Sequence, residues 1–117
     1  MPAYNFSARF AADVESGRKR QTIRRRRKRP TKTGDKLHLF IGMRTRSCRT
    51  LGKAVCAGAL PLLIDEGRVI LNGDELRTLD ALTWFAAKDG FQTWADCESW
   101  FREHYGLPFD DGELIWW

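Results

Sequence analysis

The sequence predicts an α+β fold in which short strands form a small curved sheet or barrel, flanked by two or three helices. Three observations predict it. Apolar residues alternate with period two over short runs, most clearly in KLHLFIG (36–42). Two later segments, TLDALTWFAAKDG (78–90) and TWADCESWFREHYG (93–106), carry apolar residues at helical spacing between a threonine and a glycine. Turn signals, namely Pro30, Gly34 and Asn72-Gly73, separate the elements at short intervals.

Taken in order, Tyr4 and Phe6 alternate in a first strand, and ARFAADVESG reads as a short helix with Gly17 as its C-cap. QTIR (21–24) is a short extended piece, and residues 24–33 form a flexible basic loop. In the next strand Leu37, Leu39 and Ile41 face one way, with Lys36, His38 and Phe40 opposite. MRTRSCRTLG (43–52) reads as a second basic loop. KAVCAGALPLLI (53–64) reads as one strand broken by Gly58 and Pro61, and the proline argues for a sheet edge or a bulge. RVIL and the Asn72-Gly73 turn follow. Thr78 caps a helix with a stripe of Leu79, Leu82, Phe85 and Ala86, and Thr93 caps one with Trp94, Cys97, Phe101 and Tyr105. Trp84, Trp94 and Trp100, at helical spacings, read as core rather than as base-stacking platforms. GELIWW closes the chain as a last strand that docks Trp116 and Trp117.

At 117 residues, with seven Phe, five Trp and two Tyr to fill a core, residues 1–117 read as a single domain. No apolar run approaches the roughly 18 residues that span a membrane, and MPAYNFSARF lacks a signal-peptide core, so a cytoplasmic protein is expected. Cys48, Cys56 and Cys97 form no CxxC-type pair and stand near neither histidine in sequence. They read as reduced, mostly buried thiols, with no metal and no cofactor expected.

Charge divides the chain. Residues 1–64 hold 16 Lys/Arg against 3 Asp/Glu, net +13; residues 65–117 hold 4 against 12, net −8. A basic half points to a polyanion or nucleotide partner, or else the two halves neutralise each other in the fold. The basic density peaks in GRKRQTIRRRRKRP (17–30), where Arg18, Arg20, Arg25, Arg26, Arg27, Lys28 and Arg29 are candidate nucleic-acid contacts. Arg44, Arg46 and Arg49 form a second cluster, read equally as phosphate contacts or as solvated loop charges.

SGRKRQTIR (16–24), TGDKLHLFIGMRTRSC (33–48), AAKDGFQTW (86–94) and the final strand, in that order, resemble the ASCH domain family across nearly the whole chain. The most specific piece is G-x-K-x-x-T-I-R. The resemblance implies a PUA-like small β-barrel with flanking helices and recognition of a nucleobase or RNA in a cleft. It further implies, from small bacterial members, an amidohydrolase acting on N4-acetylcytidine-like substrates. The catalytic Lys and Thr of that motif fall on Lys19 and Thr22. The acidic position falls on Asp89 where the family has Glu, one methylene shorter and so about 1.5 Å less in reach.

The chemistry makes sense residue by residue. Amide hydrolysis needs a nucleophile, a base and a group to hold the oxyanion. A threonine hydroxyl attacks once a base takes its proton; a neutral lysine can be that base, and nearby arginines would favour the neutral form. Arg24, Arg44 and Arg46 are the candidate substrate-binding cations. Positions 19 and 22 point to opposite faces of a regular strand, so they share a site only if the chain bends at Arg20 or Gln21. Taken singly, Lys19 is a solvated cation in a charge run, Thr22 a β-branched strand residue, and Asp89 a surface carboxylate at a helix C-terminus. The joint pattern is what points to a modified nucleoside or RNA as partner. The alternative function is a non-catalytic RNA-binding module of the same fold.

Overall fold

Alternation at the N-terminus becomes β1 (Ala3–Phe6), which turns Tyr4 and Phe6 into the core. The computed structural model of the chain describes residues 2–117. After β1 come α1 (Ala8–Glu15), β2 (Gln21–Arg25), β3 (Lys36–Ile41), β4 (Arg49–Val55), β5 (Gly58–Asp65), β6 (Arg68–Leu71), β7 (Asp74–Leu76), α2 (Leu79–Lys88), α3 (Trp94–Tyr105) and β8 (Phe109–Trp116). The described residues thus form an α+β fold of two sheets, in strand orders β1-β3-β4 and β2-β8-β5-β6-β7.

The carboxy-terminal strand is structurally central. β8 pairs antiparallel with β2 on one side and β5 on the other, and its Leu114 and Ile115 are buried. The chain crosses between the sheets from β1 to β2, back from β2 to β3, and again at Cys56-Ala57 between β4 and β5, where the Ala57 N–H donates to the Trp116 carbonyl at 2.8 Å. Among the described residues no ladder joins the two sheets into a closed barrel. β1 uses one edge to pair in parallel with β3, and its outward carbonyls take side-chain donors instead. Arg24 reaches the Asn5 oxygen at 2.6 Å and Arg27 the Ala3 oxygen at 2.5 Å. Two guanidinium groups thereby satisfy an edge that would otherwise be left to water.

Several local expectations change. β2 extends through Arg25, so the basic loop starts at Arg26 rather than at position 24. The loop is also tied down: Tyr4 Oη and Thr31 Oγ1 are 2.5 Å apart in the core. The segment 53–64 is two strands in different sheets, and the second basic loop is shorter than expected because Arg49 already belongs to β4. Pro61 lies in β5, a central strand, so the sheet-edge alternative is excluded, whereas the β5–β8 register does shift between Leu62 and Ile64, the irregularity expected beside the proline. The proline is tolerated because pairing with β6 begins only at Leu62, and beyond it Pro61 needs only to accept from the Asn72 N–H at 3.0 Å. Asn72 and Gly73 both take positive φ, +51° and +88°, and this turn leads into the short strand β7.

Both helix caps form as expected, with Thr78 accepting from Ala81 N and Thr93 from Asp96 N. α2 buries Leu82, Phe85 and Ala86, and α3 buries Trp94, Cys97 and Phe101. Leu79 leaves the expected stripe and is 73% exposed; Trp84, expected in the core, is 56% exposed. Both stand on the outer side of a helix whose inner face is already filled. Among the described residues no helix is long and apolar enough to cross a membrane.

Candidate active site

The first motif acquires its shape from a turn. α1 ends at Glu15, Gly17 adopts φ +81°, and the Lys19 N–H donates back to the Asp13 carbonyl at 2.9 Å. Strand pairing starts only at Gln21, so Lys19 precedes the ladder and is free of its two-residue period. The chain turns at residues 16–18, ahead of Lys19, rather than at Arg20 or Gln21. Lys19 and Thr22 line one cavity of about 280 Å³.

Asp89 enters the same cavity from the other half of the chain. It caps the C-terminus of α2, and Gly90 (φ +94°) turns the backbone so that Phe91 N–H reaches the Ala86 carbonyl. This turn aims two acceptors at one cation. Lys19 Nζ donates to Asp89 Oδ1 at 2.8 Å and to the Asp89 main-chain oxygen at 2.6 Å. Gln21 Nε2 donates to the same Oδ1 at 3.3 Å. Lys19 is 3% exposed and Asp89 4%, so neither is the solvated surface charge that each resembles in sequence. The shorter reach of aspartate is no obstacle to this contact, because the helix end itself sits against Lys19.

On β2 the Arg24 guanidinium donates from Nε to Thr22 Oγ1 at 2.8 Å while its Nη2 holds the Asn5 carbonyl. Burial pushes Arg24 below its ordinary value, yet an arginine stays protonated across the physiological range. Thr22 is 3% exposed, with its hydroxyl oxygen against a permanent cation. A developing alkoxide there would meet a charge-assisted donor.

The remaining walls are aromatic. Phe10 of α1 lies 4.9 Å from Lys19 Nζ and packs edge-on against Phe91 and Trp100. From α3, Trp100, His104 and Tyr105 line the cavity. The His104 ring stacks on Trp100, centroids 3.9 Å apart, and His104 Nδ1 is 2.7 Å from the Trp100 carbonyl. A carbonyl only accepts, so Nδ1 carries a proton and Nε2 is the acceptor nitrogen of the neutral ring. Sequence reasoning missed Asn5, Phe10, Gln21, His104 and Tyr105 as site residues, while Trp100, read as core, does pack against the core and also lines the cavity. The available signal was Trp100 and His104 four apart on one helix.

The arginine run does not act as a block. Arg18 pairs with Asp13 and Arg25 with Asp111, while Arg20 donates to the Trp117 carbonyl. Arg18 and Arg20 thus point away from Lys19, whose ammonium meets a carboxylate rather than the expected crowd of like charges. Arg26 has its main chain bonded to the Asp111 carbonyl. Arg44 and Arg46 are exposed on the β3–β4 connection and do not line the cavity, unlike Arg24; Arg49 pairs with Glu15. Arg27, Lys28 and Arg29 line a separate groove.

Beneath the site, Cys97 is fully buried, and burial together with the Asp89 charge pushes its thiol far up, so it is inert as a nucleophile. Cys56 is buried and Cys48 exposed, and all three cysteines are free thiols. Among the described residues no group of three or more His, Cys, Asp or Glu is arranged to hold a metal ion. No family model matches the chain, and no curated protein and no solved structure matches it.

Proposed function

We propose that the chain is an ASCH-type amidohydrolase with a PUA-like fold, removing the acyl group from N4 of an acylated cytosine nucleoside. The observation that carries this reading is the convergence of Lys19, Thr22 and Asp89, from the two ends of the chain, on one aromatic-walled cavity. Its size, about 280 Å³, suits a base or nucleoside better than a larger ligand. The PUA-like part is supported by two sheets linked through Cys56-Ala57, with two arginines reaching the outer edge of β1.

In the proposed reaction the Lys19 proton passes along the 2.8 Å hydrogen bond to Asp89, leaving a neutral amine. Thr22 Oγ1 attacks the acyl carbon and Lys19 takes the hydroxyl proton. Arg24 stabilises the developing negative charge on oxygen. The C–N4 bond breaks, N4 leaves as the amine with the proton from Lys19, and water then cleaves the Thr22 ester to a carboxylic acid. Incubation with N4-acetylcytidine should release cytidine and acetate. Folded protein that releases no cytidine anywhere between about pH 6 and pH 9 overturns the proposal.

A second reading, a non-catalytic RNA-binding module of the same fold, is favoured by the engagement of Lys19: two of its three donors are already held by Asp89. It predicts RNA binding with no turnover.

A further inference from the structure

We propose that the groove lined by Arg27, Lys28, Arg29, Lys32 and Lys36 binds the phosphates of a single-stranded polyribonucleotide, whose base enters the Lys19–Thr22–Asp89 cavity. The inference rests on the reading of that cavity as a base pocket and names its ligand as a nucleotide within a strand.

The first observation is where the unpaired charge lies. Acidic side chains are spent on cations elsewhere: Arg9 on Asp96, Arg18 on Asp13, Arg25 on Asp111, Arg49 on Glu15, Arg68 and Arg77 on Glu75, and Arg102 on Glu66 and Glu98. Lys28, Arg29, Lys32 and Lys36 are exposed, have no ion-pair partner among the described residues, and share one concavity of about 690 Å³. The one carboxylate there, Asp35, is occupied by the Lys32 main-chain N–H at 2.9 Å. A concave run of unpaired cations concentrates positive potential and favours a chain of anions over a single one.

The second observation is that the groove and the cavity, though they share no lining residue, lie on either side of one ring. Arg27 lines the groove and Arg24 the cavity, and the two lie over the same Tyr4 ring, at 4.5 and 5.5 Å from its centroid. They grip carbonyls two residues apart on β1, a separation of roughly 7 Å along the strand. The aromatic cavity at one end and the cations at the other follow the pattern of single-strand recognition, bases stacked and backbone tracked by charge. An acidic peptide would use the charge but leave the cavity unexplained.

The groove is tested by fluorescence anisotropy with a labelled single-stranded oligoribocytidine of about eight nucleotides. The wild type should bind at about 50 mM salt and weaken steeply by about 200 mM. The Lys28→Ser/Arg29→Ser/Lys32→Ser variant should bind at least about tenfold more weakly, with a salt slope smaller by about 2. The charge-matched Arg44→Ser/Arg46→Ser/Lys53→Ser variant should lose much less. Equal losses in the two variants, no loss in the first, or equal competition by polyglutamate overturn the groove.

The link to the cavity is tested by comparing kcat/KM for an oligonucleotide carrying one N4-acetylcytidine with that for the free nucleoside. The oligonucleotide should be favoured at least about tenfold in the wild type, and that preference should collapse in the groove variant. No preference in the wild type overturns the link. Absence of turnover on both substrates overturns the enzymatic reading, while the binding measurement still decides the groove.

Discussion

The Lys19 ammonium lies 2.8 Å from Asp89 Oδ1 and 2.6 Å from the Asp89 main-chain oxygen, a buried contact between residues 70 apart in the chain. It ties the turn after α1 to the end of α2 and forms the floor of the candidate active site. Asp89→Ala would leave the ammonium buried without its counter-ion, which costs about 3–5 kcal/mol. Urea denaturation should show that loss, and the double variant Lys19→Met/Asp89→Leu should recover most of it. A single variant as stable as wild type would mean that the pair adds nothing to the fold.

The proposed proton transfer needs an amine at position 19. Lys19→Arg should abolish deacylation, because a guanidinium keeps its proton, while Thr22→Ser should retain a measurable fraction and Thr22→Val none. Circular dichroism establishes that each variant is folded. Full activity in the Lys19→Arg protein would reduce Lys19 to a structural cation.

Gly90 holds the Asp89 turn in a left-handed conformation, φ +94°, and a Cβ there would stand 3.1 Å from Phe10 Cδ1 and 3.3 Å from Lys19 Cδ. Gly90→Ala therefore combines backbone strain with crowding at the site. A loss above about 1 kcal/mol is expected, accompanied by weaker nucleoside turnover. Loss of stability with unchanged kinetics would show that the turn is not part of the catalytic geometry.

Gly58 faces Trp116 across the β5–β8 ladder, and a Cβ at Gly58 would lie 2.1 Å from the indole Cζ2. Gly58→Ala must displace the ring and should cost about 1–3 kcal/mol. Tryptophan emission should move to the red as Trp116 meets water. An unshifted spectrum would mean that the ring is not held against the strand as described.

Burial pushes the Glu113 carboxyl above its ordinary value, partly offset by the Thr31 N–H and the charges of Arg26 and Arg27. A raised folded-state value means that the native protein holds the proton more tightly than the unfolded chain does. The charged form is then a cost, absent below the unfolded value near about 4.3 and fully present above the folded one. Glu113→Gln removes the titration, so its melting temperature relative to wild type should rise with pH through that window and level off. A difference independent of pH would mean that Glu113 titrates alike in both states.

The sequence by itself determined the elements that depend on near neighbours. The threonine caps at 78 and 93, the Asn72-Gly73 turn, the β3 alternation and the α+β class follow from spacing and backbone preference, which act within a few residues. The family resemblance, not spacing, is what singled out Lys19, Thr22 and Asp89, and it could not show that they meet. Only the tertiary structure decided that, because the meeting depends on a turn at Gly17 and a helix end at Asp89 brought together across 70 residues. It likewise decided which cations are spent and which are free. Arg18 and Arg25 look the same in sequence as Lys28 and Arg29, but the first two find Asp13 and Asp111 and the others find no carboxylate. Charge pairing acts through space, and a linear run of arginines does not record where the chain will place its acids.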